Sequence, residues 1–233
     1  MDRFDADVAL VTRSTDELGD AFVAAFLREG VSRVYAAADV QQKCADRRVV
    51  PIVFDERDEH STAELLSVAN DITVVVNSLA PEPKAVPIAA IDDKAFTELL
   101  ESNVFGVVRL ARTFGPVLAA NGGGAFVIVQ SVQAWISVNG PYAASQAALR
   151  SITDSLRVEL AHAGIRVVGV VLGLTMPDAS GDPLHPQTDA HEVARMTLDA
   201  INRHEYEVVV DEYSRSVKSR LSQSIGVMYP ELG

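Results

Sequence analysis

Several features are scarce in or missing from this sequence, and each absence narrows what the protein can be. The chain has one cysteine, Cys44, among 233 residues. This excludes an internal disulfide and suits a reducing compartment, so we expect a cytoplasmic protein. No apolar run reaches the roughly 18–20 residues of a membrane span, and no basic segment with an apolar core opens the chain. We therefore expect neither a membrane partner nor a secretory signal.

Positive charge is also scarce. There are 20 Lys and Arg residues against 32 Asp and Glu residues, which gives a net charge of −12. Binding to nucleic acid needs a basic face, so we expect no nucleic-acid partner. The five histidines show no paired spacing with cysteine or acidic residues, which predicts that the protein has no metal site.

Short apolar runs alternate with segments of helical periodicity along the whole chain. The predicted strands cover 8–11, 33–37, 49–54, 72–76, 125–129, 165–172 and 207–210. Helices are predicted between them, including one long helix over 93–119. Continuous apolar strands that alternate with helices predict a doubly wound, Rossmann-like α/β fold: a parallel sheet of about seven strands with helices on both faces. Without a repeat or a linker, residues 1–233 are predicted to form one domain.

The most informative stretch runs from the fifth predicted strand into the following helix. Ser131 comes just after the strand, and Asn139-Gly140-Pro141 is a turn signal with Pro at a first helical position. Tyr142 then lies in the first turn of the helix, and Gln146 follows four residues later on the same helix face. Ser131 and Tyr142 are therefore expected to point into one crevice.

This layout resembles the short-chain dehydrogenases/reductases, whose hallmark is a Ser followed by Tyr-x-x-x-Lys. Ser131 and Tyr142 match the hallmark, and Asn103 falls where that family keeps an active-site Asn. The resemblance implies that Tyr142 exchanges a proton with the substrate, that Ser131 holds the substrate oxygen and that Asn103 supports a water relay. The family's Lys is Gln146 here, which we also assign to the catalytic set.

Loss of this Lys changes the expected chemistry. The family Lys lowers the pKa of the Tyr, and a cation within about 4–6 Å lowers a pKa by roughly 1–3 units. Gln146 has no charge, so we expect the pKa of Tyr142 to stay near the usual value of about 10. Tyr142 is then a poor base but a competent acid.

The phosphate-binding turn departs further from the family pattern Thr-Gly-x-x-x-Gly-x-Gly. Arg13 and Glu17 replace the first two glycines, and only Gly19 remains. A Cβ where the backbone must approach a pyrophosphate is a steric problem, and acidic residues at the helix N-terminus repel a phosphate. One alternative is that Arg13 clamps a phosphate in place of backbone donors; the other is that the turn no longer holds a dinucleotide.

Three further positions match cofactor-binding residues of the family. Asp55 corresponds to an adenine-contacting Asp, and Asn77 to the first residue of the Asn-Asn-Ala-Gly element. Asp39 lies one place beyond the usual ribose-binding acid and favours NAD over NADP, but it also fits a turn. With Arg13 and Gly19, these residues form a weak or vestigial site. We expect no cofactor, with NAD(H) as the alternative and NADP(H) disfavoured.

Four positions are assigned to a pocket for a small-molecule substrate. Gln133 and Trp135 follow Ser131, and Gly173 and Met176 belong to a loop over the strand ends. Trp135 could equally cap the core.

Three functions remain open. The favoured one is a non-redox enzyme, of isomerase, lyase or cyclase type, acting on a carbonyl, hydroxyl or epoxide oxygen through Ser131 and Tyr142. The first alternative is an NAD(H)-dependent oxidoreductase that reduces a small carbonyl compound. The second is a non-catalytic binding or partner subunit. The resemblance also implies a homodimer or homotetramer.

Overall fold

Seven strands form one parallel sheet in the computed structural model, which describes residues 7–80, 82–173, 188–229 and 232. The strands are β1 (Val8–Val11), β2 (Arg33–Ala38), β3 (Val49–Val53), β4 (Val74–Asn77), β5 (Gly124–Ser131), β6 (Ile165–Leu172) and β7 (Glu207–Val209). The helices are α1 (Glu17–Arg28), α2 (Glu59–Val68), α3 (Asp93–Leu100), α4 (Gly106–Ala120), α5 (Gly140–Ala161), α6 (Ala190–Asn202), α7 (Glu212–Arg220) and α8 (Ile225–Met228). The strand order is β3-β2-β1-β4-β5-β6-β7, and every pairing is parallel. This confirms the predicted doubly wound, Rossmann-like fold.

The alternation of side chains along the strands produces two apolar cores, one on each face of the sheet. In β1, Ala9 and Val11 belong to the core that includes Phe22 of α1. Leu10, between them, belongs to the opposite core, which includes Phe114 of α4. Strands that are buried on both faces explain why the apolar runs in the sequence are continuous.

The predicted helix over 93–119 is interrupted, and this is a correction to the sequence analysis. A π-helical turn at Glu101–Phe105 separates α3 from α4 and contains Asn103. A π-turn inserts an extra residue without disturbing the apolar spacing enough to be seen in the sequence, and such turns occur frequently at functional sites.

The strand order reverses at β1, which pairs with β2 on one side and with β4 on the other. Helices that leave β1 and β4 therefore pass to opposite faces, and a crevice opens at the carboxyl ends of the strands. The residues predicted to bind or react follow β1, β2, β3, β4 and β5, so the fold collects them at this edge. No helix in the described part of the chain is long and apolar enough to cross a membrane.

Candidate active site

Ser131 and Tyr142 meet as the sequence predicts. Ser131 is the last residue of β5, and Tyr142 lies in the first turn of α5, which Pro141 helps to start. Ser131 lies close enough to the Tyr142 phenol to lower its pKa, and the two residues are 3% and 1% exposed respectively. The Ser131 hydroxyl also accepts a hydrogen bond of 3.2 Å from the Gln133 backbone N–H, which fixes its position.

The pKa of Tyr142 is raised well above its ordinary value of 10.0, so the expectation of a value near 10 is corrected. Burial is the main cause, because it disfavours the phenolate, and the negative charge of Glu82 acts in the same direction. The Ser131 hydroxyl and the positive charge of Arg13 lower the pKa but do not outweigh burial. Tyr142 therefore keeps its proton throughout the neutral and moderately alkaline range.

Gln146 anchors the backbone at the end of β5. Its side-chain carbonyl accepts a hydrogen bond of 2.9 Å from the Ser131 backbone N–H, and the residue is 1% exposed. A buried amide tolerates this place because its oxygen is paired, whereas a buried cation would need a counter-charge. Gln146 thus positions Ser131 and supplies no charge to the phenol.

Asn103 is tied to the helix that carries Tyr142. Its side-chain amide donates a hydrogen bond of 2.9 Å to the Ser145 hydroxyl, which itself donates to the Tyr142 carbonyl at 2.7 Å. The π-helical turn brings Asn103 to this position, and the side chain is buried. Asn103 is therefore connected through Ser145 to the backbone of Tyr142.

Glu82, in the loop after β4, is a functional candidate that the sequence analysis missed. Its Oε1 accepts hydrogen bonds from the Gln133 side-chain amide at 2.7 Å and from the Asn139 side-chain amide at 3.1 Å. Gln133 in turn accepts a hydrogen bond of 2.8 Å from the Asn139 backbone N–H. Neither helical nor strand periodicity extends into this loop, so the sequence does not indicate that Glu82 lies near Tyr142.

The other residues assigned to the substrate pocket do not gather around Glu82. Trp135 packs in a separate apolar cluster with Val171 and Val217, and Lys218 lies 5.9 Å from its ring centroid. The Gly173 backbone N–H donates a hydrogen bond of 2.6 Å to Asp211. Met176 lies outside the described residues.

The altered phosphate turn keeps the backbone shape that glycine would allow. Arg13 has φ of 50°, in the left-handed region that non-glycine residues adopt only at a cost of about 1–2 kcal/mol. A Cβ on Gly19 would come 2.1 Å from the Arg13 carbonyl oxygen, so α1 packs against the turn at a distance only glycine permits. Arg13 and Gly19 together therefore keep a tight turn between β1 and α1.

The Arg13 side chain crosses the crevice. It forms an ion pair with Glu56 and donates a hydrogen bond of 3.1 Å to the Ser102 hydroxyl, which also donates to Glu56 at 2.8 Å. Arg13 lines both main clefts of the described residues, one of about 270 Å³ and one of about 460 Å³. It is thus the boundary between them.

The smaller cleft lies over the carboxyl ends of β2 and β3. Asp39 is exposed at its edge, and Asp55 is held by Arg57 through hydrogen bonds of 3.0 and 2.9 Å. These bonds lower the pKa of the Asp55 carboxyl. Asn77 is buried at the end of β4, beside Ser78, whose buried hydroxyl has no hydrogen-bond partner among the described residues.

Among the residues that the structure describes, no group of three or more His, Cys, Asp or Glu side chains is arranged to hold a metal ion.

Comparison with known proteins identifies relatives of the chain. The family model for "short chain dehydrogenase" matches residues 7–185. Sorbitol dehydrogenase of Cereibacter sphaeroides is 31% identical over 74% of this chain and 72% of that protein. Dehydrogenase/reductase SDR family member 4 of Bos taurus is 27% identical over 73% of this chain. The match covers 66% of the bovine protein, so the chain spans about two thirds of that relative's length.

Solved structures extend the likeness to almost the whole chain. A short-chain dehydrogenase from Burkholderia cenocepacia J2315, in complex with NADP, is 28% identical, with a TM-score of 0.87 and 98% coverage of both chains. A Burkholderia phymatum short-chain dehydrogenase/reductase in complex with NAD shares the fold at 18% identity, with a TM-score of 0.79 and 94% coverage of both chains.

These structures overturn the prediction of no cofactor, with NADP(H) disfavoured. Dinucleotides occupy similar chains, including one with NADP that is similar from end to end. The error came from treating the missing glycines as loss of the turn, although Arg13 adopts a left-handed conformation of the kind that glycine adopts freely. With a family model matched across most of its length and the strand order described above, the chain belongs to the short-chain dehydrogenase family.

Proposed function

We propose that this chain is a nicotinamide-dinucleotide-dependent oxidoreductase that works chiefly in the reducing direction on a small carbonyl compound. One observation carries the direction: Tyr142 is buried against Ser131, and its pKa is raised by that burial. A phenol in this state stays protonated near neutral pH, so the acid that carbonyl reduction needs is present, whereas the phenolate that alcohol oxidation needs as a base is scarce. The relatives named as dehydrogenases and reductases support the oxidoreductase class.

The residues at the crevice fit a dinucleotide. The turn at Arg13 and Gly19 has the required backbone shape, and a cleft of about 270 Å³ lies over β2 and β3. The buried Ser78 hydroxyl has no hydrogen-bond partner among the residues that the structure describes, as expected where a ligand supplies one. Arg13 would exchange Glu56 for a phosphate group, which offers the guanidinium the same charge-assisted pairing.

The bound cofactor supplies the hydride, and the chain's own groups handle the oxygen and the proton. Ser131 donates a hydrogen bond to the substrate carbonyl oxygen and polarises it. Tyr142 donates its proton to that oxygen as negative charge develops there, and solvent later restores the phenol. Asn103 and Gln146 hold the backbone of α5 and β5, so that both hydroxyl groups face the same point.

A dinucleotide-dependent reduction explains the arrangement better than the non-redox alternative. The relatives carry dehydrogenase and reductase names, and the similar structure with the highest identity given above holds NADP. Reduction also tolerates the change from Lys to Gln146, because it needs Tyr142 only as an acid. The chemistry proposed is therefore that of the family, biased to one direction.

Two further proposals concern the setting of the enzyme. We propose a homodimer or homotetramer, because Phe105 and Val158 are exposed apolar side chains beside α4 and on α5. Light scattering of the purified protein tests this. We also propose a cytoplasmic location, on the exposed free thiol of Cys44.

The test of function is a kinetic comparison of the two directions. A panel of small ketones and aldehydes is incubated with NADH or NADPH, and the corresponding alcohols with the oxidised forms, near pH 7. We expect the ratio of kcat for reduction to kcat for oxidation, both at saturating substrates, to be larger than in a Lys-containing relative assayed in the same way. Turnover of carbonyl compounds without any dinucleotide would contradict the proposal.

A further inference from the structure

Glu82 holds a negative charge beside the reacting hydroxyl groups, and the proposed reaction does not use it. Both amide N–H donors that reach it bond to the same oxygen, Oε1. Among the described residues, no hydrogen bond reaches Oε2, and no Lys, Arg or His lies within ion-pair distance of the carboxylate. The Glu82 side chain is therefore held in place, and only one of its two carboxylate oxygens has a hydrogen-bond donor among the described residues.

The groups that fix Glu82 are buried and interlocked. Gln133 and Asn139 are 3% and 4% exposed, and each bonds both to Glu82 and to the other. Asn139 also donates a hydrogen bond of 3.2 Å to the Pro83 carbonyl, which holds the backbone next to Glu82. Such a network sets the carboxylate in one position without neutralising it, because both donors are uncharged.

The carboxylate is bonded to the segment that joins Ser131 to Tyr142. Gln133 is two residues after Ser131, and Asn139 is three residues before Tyr142, so Glu82 borders the loop between them. Its charge reaches the Tyr142 phenol, whose pKa it raises. The nearby cation that also affects the phenol, Arg13, is already paired with Glu56.

We propose that Glu82 is a specificity-determining residue that binds a cationic nitrogen of the substrate, so that the preferred carbonyl compounds carry a protonated amine a few bonds from the carbonyl. An ammonium group offers the N–H donors that Oε2 lacks and the positive charge that the network does not provide. This inference rests on the proposed function, since it identifies the class of carbonyl compound that Ser131 and Tyr142 would hold.

The test uses three methyl ketones of nearly equal shape: 4-(dimethylamino)butan-2-one, which is cationic at neutral pH, its neutral isostere 5-methylhexan-2-one, and anionic levulinate. Binding to the full chain is measured by ligand-observed NMR titration with and without a saturating reduced dinucleotide, and turnover is measured separately. We expect the wild type to bind the cationic ketone about tenfold more tightly than the neutral one, as for a hydrogen bond to a charged group, with levulinate weakest.

In Glu82→Gln the preference for the cationic ketone should fall to about onefold, because the amide keeps the size of the side chain and removes its charge. Glu159→Gln is the matched control: Glu159 is exposed on α5, about 25 Å along the helix from Tyr142 at 1.5 Å per residue, and the preference should persist there. Equal binding of all three ketones by the wild type would overturn the inference. So would a Glu82→Gln variant whose only change is its relative affinity for the oxidised and reduced dinucleotides, since the carboxylate would then serve the nicotinamide.

The two proposals fail in different ways. A binding preference that depends on Glu82, without any turnover, would contradict the proposed reduction and leave the cationic specificity standing. Turnover of all three ketones, with no preference that depends on Glu82, would support the proposed reduction and contradict the cationic specificity.

Discussion

The two halves of the crevice have diverged from the family pattern in opposite ways. At the end of β1, two glycines of the family pattern are replaced, but Arg13 adopts a left-handed conformation that glycine adopts freely, and Gly19 makes a close contact with the turn. At the end of β5, the reacting side chains Ser131 and Tyr142 remain, and what has changed is the charge beside them.

This difference shows that a missing motif residue has different meanings in the two places. In the turn, what matters is a backbone shape, which an arginine can adopt at modest cost. Beside Tyr142, what matters is a positive charge, which Gln146 cannot supply although it fits the space and pairs its oxygen. The first change is compatible with dinucleotide binding, and the second, under the proposed function, leaves Tyr142 as an acid rather than a base.

The largest expected effect comes from the half whose reacting groups are kept. Tyr142→Phe removes the proton donor and should lower kcat for carbonyl reduction by about 10³-fold, within the range for loss of a general acid. Circular dichroism and thermal unfolding should be nearly unchanged, because the ring still fills its buried site.

Tyr206→Phe is the matched control, because Tyr206 is an exposed residue just before β7. The kcat of this variant should stay within about twofold of the wild-type value. If Tyr142→Phe retained most of its activity, Tyr142 would have no part in the mechanism.

The next effect tests whether the turn between β1 and α1 needs a glycine at position 19. Gly19→Ala places a Cβ 2.1 Å from the Arg13 carbonyl oxygen, and overpacking of this kind costs up to about 3 kcal/mol of unfolding free energy. Chemical denaturation measures the loss, and dinucleotide affinity should fall with it. In Gly226→Ala a Cβ meets nothing within 4 Å, so this variant should unfold like the wild type. Equal stability of the two variants would show that α1 does not need its close approach.

A smaller effect tests the charge beside Tyr142. Gln146→Lys should lower the pKa of Tyr142 and raise kcat for alcohol oxidation at saturating substrates about tenfold at pH 8, since one pKa unit changes the phenolate fraction tenfold. Reduction should change less, because the phenol is protonated in both proteins.

Gln146→Met also removes the hydrogen bond to Ser131 but adds no charge, so it should produce no gain in oxidation. The directional account would fail if Gln146→Met and Gln146→Lys raised oxidation equally.

The sequence predicted the fold well because the signal is distributed over seven apolar runs, and strands buried on both faces leave little choice of side chain. It predicted that Ser131 and Tyr142 meet because a strand end and a helix start are joined by a short loop. It missed the π-turn around Asn103, since one extra residue in a helix hardly disturbs the apolar spacing.

Contacts between distant segments were beyond the sequence. Arg13 pairs with Glu56, 43 residues away, and Glu82 bonds to Gln133, 51 residues away. Nothing in the local pattern of either loop indicates these partners. The burial that raises the pKa of Tyr142 also depends on the packed structure, so the charge lost at Gln146 was only part of the cause.

Calorimetric titration with NAD+, NADH, NADP+ and NADPH tests the central claim most directly, because it asks whether the altered turn still holds a dinucleotide. We expect at least one reduced form to bind the wild type with Kd of about 50 µM or tighter. Arg13→Ala should weaken this binding about tenfold through loss of a charge-assisted phosphate contact, whereas Arg112→Ala, on the exposed face of α4, should not. No heat with any of the four nucleotides at about 1 mM, from a protein shown to be folded, would contradict the account.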